Sequence, residues 1–232
     1  MGLFDIIKKK LTERKSSPLD KEKIKAHLDS VQSEIYSFLK PLGFKKKGRT
    51  FNRQTENGIY QVINLQSGRY DFGDKYVIPG IRENYYGKFT VNLGVLVKEL
   101  YELDFHKKGK DFYQEYSCQI RDRLSNLTIG QDYWWTITPS TKEIAREIID
   151  GLNSKGLNWL DTFDTREKIC KNWGTEKNHA LRAKLDVGLI TIHTDKEKGQ
   201  KIIQDYYNNL DQKGHKDYVM GLSKRLGFQL NS

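Results

Sequence analysis

Cysteine and proline are scarce in this 232-residue chain, with two and four copies respectively. Cys118 and Cys170 stand too few and too far apart for the disulfide framework that staples small secreted domains. They read as two reduced, buried structural thiols. No uncharged apolar run approaches the roughly 18 residues that a membrane-spanning helix requires. The apolar residues near the start precede Lys8, Lys9 and Lys10, the reverse of the order in a secretory signal. The expectation is a cytoplasmic protein. Phosphate-cradling loops, dinucleotide fingerprints and serine elbows are also missing. The histidines His27, His106, His179, His193 and His215 never fall four apart or at a ligand spacing from a cysteine. The pairs Asp71 with Asp74 and Asp161 with Asp164 suit turns and helix starts better than a metal site. The sequence therefore points to no catalytic residue, metal or cofactor. It leans away from an enzyme, leaving one with a site dispersed along the chain as an alternative.

What is present is charge and aromatic surface. Apolar residues make up 37%, charged residues 30% and aromatics 12%. That composition implies a modest core under a solvated surface, and it is too aromatic for a disordered chain. The net charge of +10 is unevenly placed. Residues 1–53 hold 14 Lys and Arg against 6 Asp and Glu, and the remainder hold 26 against 24. The basicity is local, as recognition of an anionic surface requires.

Periodicity predicts an α+β fold: an antiparallel sheet of four to five strands, flanking helices and a C-terminal helical extension. Residues 1–16 form a basic amphipathic helix, 17–156 an α+β domain, and 157–232 a helical subdomain or cap. The amphipathic segment at 2–14 can dock on its own domain or a partner, or lie on a membrane surface. Ser17, Pro18 and Asp20 start a second helix, with Leu28, Val31, Ile35, Phe38 and Leu42 as its buried stripe and Pro41 and Gly43 as its end. Strands are expected at 44–55 and 59–66 about an Asn57-Gly58 turn, with a bulge near Gly48 because Phe44 and Phe51 have opposite parity. Residues 88–97 alternate cleanly, and 116–127 form a further strand. Ser140 and Glu143 form a capping box for a helix running toward Gly151 and Gly156. Helical segments follow near 165–173, 177–192, 196–210 and 215–226, divided by Gly174, Thr194-Asp195 and Gly214.

Two features suggest binding. The run from Lys45 to Arg53 can project Lys45, Lys47, Arg49 and Arg53 together beside Phe51. Such a ladder suits nucleic acid, an acidic protein surface, or a guarded sheet edge. The long connection at 67–87 carries Tyr70, Tyr76, Tyr85 and Tyr86. These rings either offer contact area at low entropic cost or pin the loop to the sheet.

The segments from Phe44 to Arg53, from Tyr60 to Gln66 and from Phe89 to Val95 resemble the bacterial family catalogued as domain of unknown function 4304. Cys118, Arg121, Arg123, Leu124 and the Trp134-Trp135 pair are similar to its pattern too. The resemblance covers roughly residues 20–160. It implies an α+β fold and a bacterial or phage origin, and it supplies no catalytic residues. It also draws attention to Gln61, Asn64, Gln66 and Asn92, some of which can share a polar sheet face. The leading expectation is a non-enzymatic protein-binding protein, with toxin neutralisation or phage–host conflict as settings. Nucleic-acid binding through 45–53 is the alternative.

Overall fold

The computed structural model describes residues 21–71, 73–78, 81–173 and 182–231. The segment at 2–14, the cap at Ser17 to Asp20, and Gly174 lie outside them.

Helix α1 spans Lys21–Leu39. Leu28, Val31, Ile35 and Leu39 recur at three- and four-residue steps and are fully buried, so one face of the helix is core. A tight 3₁₀ turn at Lys40–Leu42 follows, closed by Gly43 at φ 87°. Because the helix tightens there, Leu42 swings out of the stripe and stays exposed.

Six strands follow: β1 (Lys45–Lys47), β2 (Thr50–Glu56), β3 (Ile59–Ser67), β4 (Lys88–Val97), β5 (Ile120–Arg123) and β6 (Trp135–Thr136). They pair antiparallel in the order β1-β2-β3-β4-β5, with β6 also on β4. The expected single strand at 44–55 is instead a hairpin. Gly48 at φ 60° reverses the chain, and Lys47 pairs with Thr50. A reversal, not a bulge, thus resolves the opposite parity of Phe44 and Phe51. The irregularity lies farther along, between Gln54 and Glu56. The Asn57-Gly58 turn forms as its sequence demands, with Gly58 at φ 85°. The expected strand at 116–127 shrinks to β5. A 3₁₀ turn at Glu115–Ser117 precedes it, and helix α3 (Leu124–Ile129) follows once α2 (Lys98–Phe105) has crossed from β4. Asp122 ends the strand by accepting from the Arg123 N–H and from Asn126 Nδ2.

The alternation of β3 and β4 gives the sheet two unlike faces. Phe51, Ile63, Leu65, Phe89, Val91 and Leu93 point to one side, where α1 and helix α4 (Thr141–Gly151) cover them. Burial of each such side chain stabilises the fold by about 1.5–3 kcal/mol. Ser140 leads into α4 but makes no side-chain cap bond, so the expected capping box is not formed. Gly151 and Gly156 do not stop the helix either. The chain runs on through a π-turn at Leu152–Gly156 into α5 (Leu157–Asp161). Both glycines serve close approach: a Cβ at Gly156 would stand 3.0 Å from Leu124 Cδ1.

Beyond α5 come α6 (Arg166–Asn172), α7 (Ala183–Thr191), α8 (Lys196–Asn208) and α9 (Lys213–Arg225). Asp195 caps α8 by accepting from the Lys198 N–H, whereas Gly214 lies inside α9 and divides nothing. Leu185, Leu189, Ile203, Val219 and Leu222 extend the same apolar cluster that begins at the sheet.

Candidate binding groove

The second sheet face is apolar at one end only. Tyr60, Val62 and Leu96 lie there under Tyr101, Tyr113 and Cys118. Burial drives the Tyr113 hydroxyl up to about 12 and holds the Cys118 thiol well above its usual range, so both stay neutral. Gly94 permits this cover, since a Cβ there would meet Cys118 Sγ at 2.7 Å.

Toward the other end, β3 and β4 carry amides in place of hydrocarbon, and among the described residues no helix covers them. The result is a groove of about 920 Å³. Its floor is a row of side chains held by one another. Asn92 Nδ2 donates to Gln66 Oε1 at 2.8 Å, and Asn64 Nδ2 donates to Thr50 Oγ1 at 2.9 Å. Thr50 in turn donates to Gln114 Oε1 at 2.7 Å. Asn92 is 5% exposed while Gln66 is open to solvent, so the row descends from surface to interior.

Aromatic rings form the walls. Tyr85 stacks on Trp134 with centroids 4.1 Å apart, and the Arg123 guanidinium lies 5.4 Å from the Trp134 ring. Tyr70 and Tyr116 stand at the rim, 80% and 73% exposed. Gly68 fits this geometry because a Cβ would lie 2.0 Å from the Tyr85 carbonyl oxygen. At the hairpin end Lys47, Arg49 and Arg69 line the groove. Arg49 donates to Ser67 Oγ at 2.8 Å and reaches Asp29 only at 3.6 Å. On the far wall the buried Glu115 accepts from Arg121 Nε at 2.5 Å, a bond that raises the Arg121 pKa and secures its charge.

The structure divides the residues expected to act together. Asn64, Gln66 and Asn92 share the groove floor, with Tyr70, Tyr85, Lys47 and Arg49 around it. Lys45 pairs with Asn52 and projects on the same side at the exposed edge. Arg53 and Gln61 lie on the opposite, helix-covered face. There Arg53 donates to Gln61 Oε1 and to Asp161 Oδ1 and stacks on Phe44. The expected ladder of Lys45, Lys47, Arg49 and Arg53 is therefore broken by the turn at Gly48. Phe51 is fully buried against Tyr36 and offers no free ring. Tyr86 packs on the main core, and Tyr76 sits out on the loop beside Lys75 and Arg82.

Sequence reasoning passed over Arg69, Gln114, Glu115, Tyr116, Arg121 and Trp134 as site residues. Arg121 and Trp134 carried a signal, their place in the family-like pattern; the others reach the groove from irregular segments. The candidate carboxylates do not converge. Asp71 accepts from the Gly73 N–H and from Asn84, Asp161 takes Arg53, and Asp164 takes Lys168. Among the described residues no group of three or more His, Cys, Asp or Glu is placed to hold a metal ion. Nor is any helix there long and apolar enough to cross a membrane.

Residues 35–162, more than half of the chain, match the model of a family described as Domain of unknown function (DUF4304). No curated protein and no solved structure matches. The matched segment runs from the last part of α1 to the residue after α5, and every residue of the groove falls within it.

Proposed function

The chain belongs to the DUF4304 family, and from that premise we propose that it binds a segment of another protein in the groove on its open sheet face. One observation carries the reading: a floor of mutually fixed amides, uncovered by any helix among the described residues and walled by aromatic rings. Asn92 Oδ1 and Gln66 Nε2 remain without another partner among the described residues. They present an acceptor beside a donor, the pair of groups that a peptide backbone offers in return. Exposed tyrosines at the rim add contact area with few rotors to immobilise.

Single-stranded nucleic acid is the second reading, favoured by Lys45, Lys47 and Arg69 near the open rings of Tyr70 and Tyr116. Internal pairing weighs against it. Arg121 is held by Glu115, Arg123 by Asp132 and Arg53 by Asp161, which leaves few cations for phosphates.

A photoreactive residue in place of Tyr116, installed in cells that make the protein, tests the assignment. Discrete protein adducts are expected at Tyr116 and not at Phe105, an exposed ring on α2. They should vanish with Gln66→Arg. Nuclease-sensitive adducts would favour the second reading, and equal labelling at both positions would dismiss the groove.

A further inference from the structure

The groove does not end at the amide floor. A second hollow of about 410 Å³ continues it toward β5 and α3, sharing Gln66, Asn92, Glu115 and Arg121. The two make one trough crossing from the β1–β2 hairpin to β5. From β2 to β5 that path spans three inter-strand steps of roughly 4.8 Å, which about five extended residues cover at roughly 3.3 Å each.

The ends of this trough differ in charge. The hairpin end holds Lys47, Arg49 and Arg69, and the one carboxylate residue lining that groove, Glu115, is bound to Arg121 on the far wall. Lys47 and Arg69 are exposed and have no ion-pair partner among the described residues, and Arg49 is tied to Asp29 only loosely. At the β5 end, Arg121 and Arg123 are each matched by Glu115 and Asp132. Asp122 is left over, taking only neutral donors from the Arg123 N–H and Asn126. One end therefore carries three cations and the other a residual negative charge, with neutral amides between. In such a partly enclosed hollow, charges are screened less than on open surface.

Resting on the protein-binding reading, we infer that the trough is directional. It takes an extended segment of about five residues that bears carboxylates at one end and a Lys or Arg at the other. The carboxylates lie over Lys47 and Arg69, the backbone amides lie against Gln66 and Asn92, and the basic group lies near Asp122. A segment of uniform charge gains at one end and is repelled at the other, so selectivity comes from the order of charges as well as their number.

Selection of a randomised seven-residue peptide library on the full chain tests this, with every binder rechecked on Gln66→Arg and on the exposed-site double variant Lys47→Glu, Arg69→Glu. The expected result is peptides whose acidic and basic residues are separated by about three to five positions. They should bind at least tenfold more weakly to Gln66→Arg and to the double variant. The double variant should itself select peptides that are basic at both ends. Groove-dependent binders without charge separation would overturn the directional inference and leave the protein-binding reading standing. A selection whose binders all ignore Gln66→Arg would overturn both.

Discussion

Arg166 grips Glu99 at two points, with Nε 2.7 Å from Oε1 and Nη2 2.9 Å from Oε2. The same guanidinium donates to the Asn57 carbonyl at 2.7 Å and to Glu56. One side chain thus fastens the first helix beyond the family-matched segment to both α2 and the Asn57-Gly58 hairpin. Gly58 is required beneath it, since a Cβ there would lie 2.7 Å from Arg166 Nη2. This clamp stands at one end of the sheet and the groove at the other.

Arg166→Ala should therefore lower stability without touching binding. Removing one partner of a fully buried pair costs about 3–5 kcal/mol. Arg166 retains 21% exposure, so about 2 kcal/mol is expected. Urea unfolding measures the loss, while affinity for a groove-dependent peptide should stay within twofold of wild type.

Gly94→Ala forces a methyl group against Cys118, whose Cβ lies 2.9 Å from the added atom. Overpacking of this kind costs about 1–3 kcal/mol. Because both close atoms, Sγ and Cβ, belong to one side chain, Gly94→Ala combined with Cys118→Gly should lose less than the sum of the two single losses. A double-mutant cycle in urea gives the coupling. Additive losses would mean that the strain lies in the backbone.

Thiol chemistry provides a separate check. Burial raises the pKa of both thiols, Cys118 by far the more. At pH 8 the folded protein should leave Cys118 unmodified by iodoacetamide and alkylate Cys170 slowly. Both should react at once in guanidinium chloride, as read by peptide mass spectrometry.

Asp186 on α7 is buried beside Arg182, and burial pushes its carboxyl up to about 6 from the ordinary carboxylate value of 3.8. With a raised folded pKa, its contribution to stability is fully present below about pH 4. It is lost as pH rises through about 6, because the folded state must give up a proton it holds more tightly. Wild type should lose stability relative to Asp186→Asn between pH 4 and pH 6 in urea unfolding. A relative gain over that window would mean that attraction to Arg182 outweighs desolvation.

The regular part of this fold was legible because period-two and period-3.6 patterns report burial directly, as β4 and α1 show. The Asn57-Gly58 turn was equally plain from its residue types. Gly48 was misjudged because a glycine that permits a bulge also permits a reversal, and parity alone does not separate them. The groove floor was partly readable, since Asn64, Gln66 and Asn92 keep the parity of exposed positions. Gln61 looked like one of them, yet its lone odd position places it under Asp161 on the other face. The walls were readable only in part, through Tyr70 and Tyr85 in the tyrosine-rich connection. Tyr116, Glu115 and Trp134 arrive from turns whose spatial placement no periodicity encodes.

The central claim is that the open amide floor is the binding surface. Its most direct test is the side-chain amide NMR signals of Asn64, Gln66 and Asn92 during titration with a selected mixed-charge peptide. Saturable shifts in all three and in the Trp134 indole N–H are predicted, with the amides of α6 through α9 unmoved. Shifts confined to those C-terminal helices, or a floor that stays silent at saturation, would contradict it.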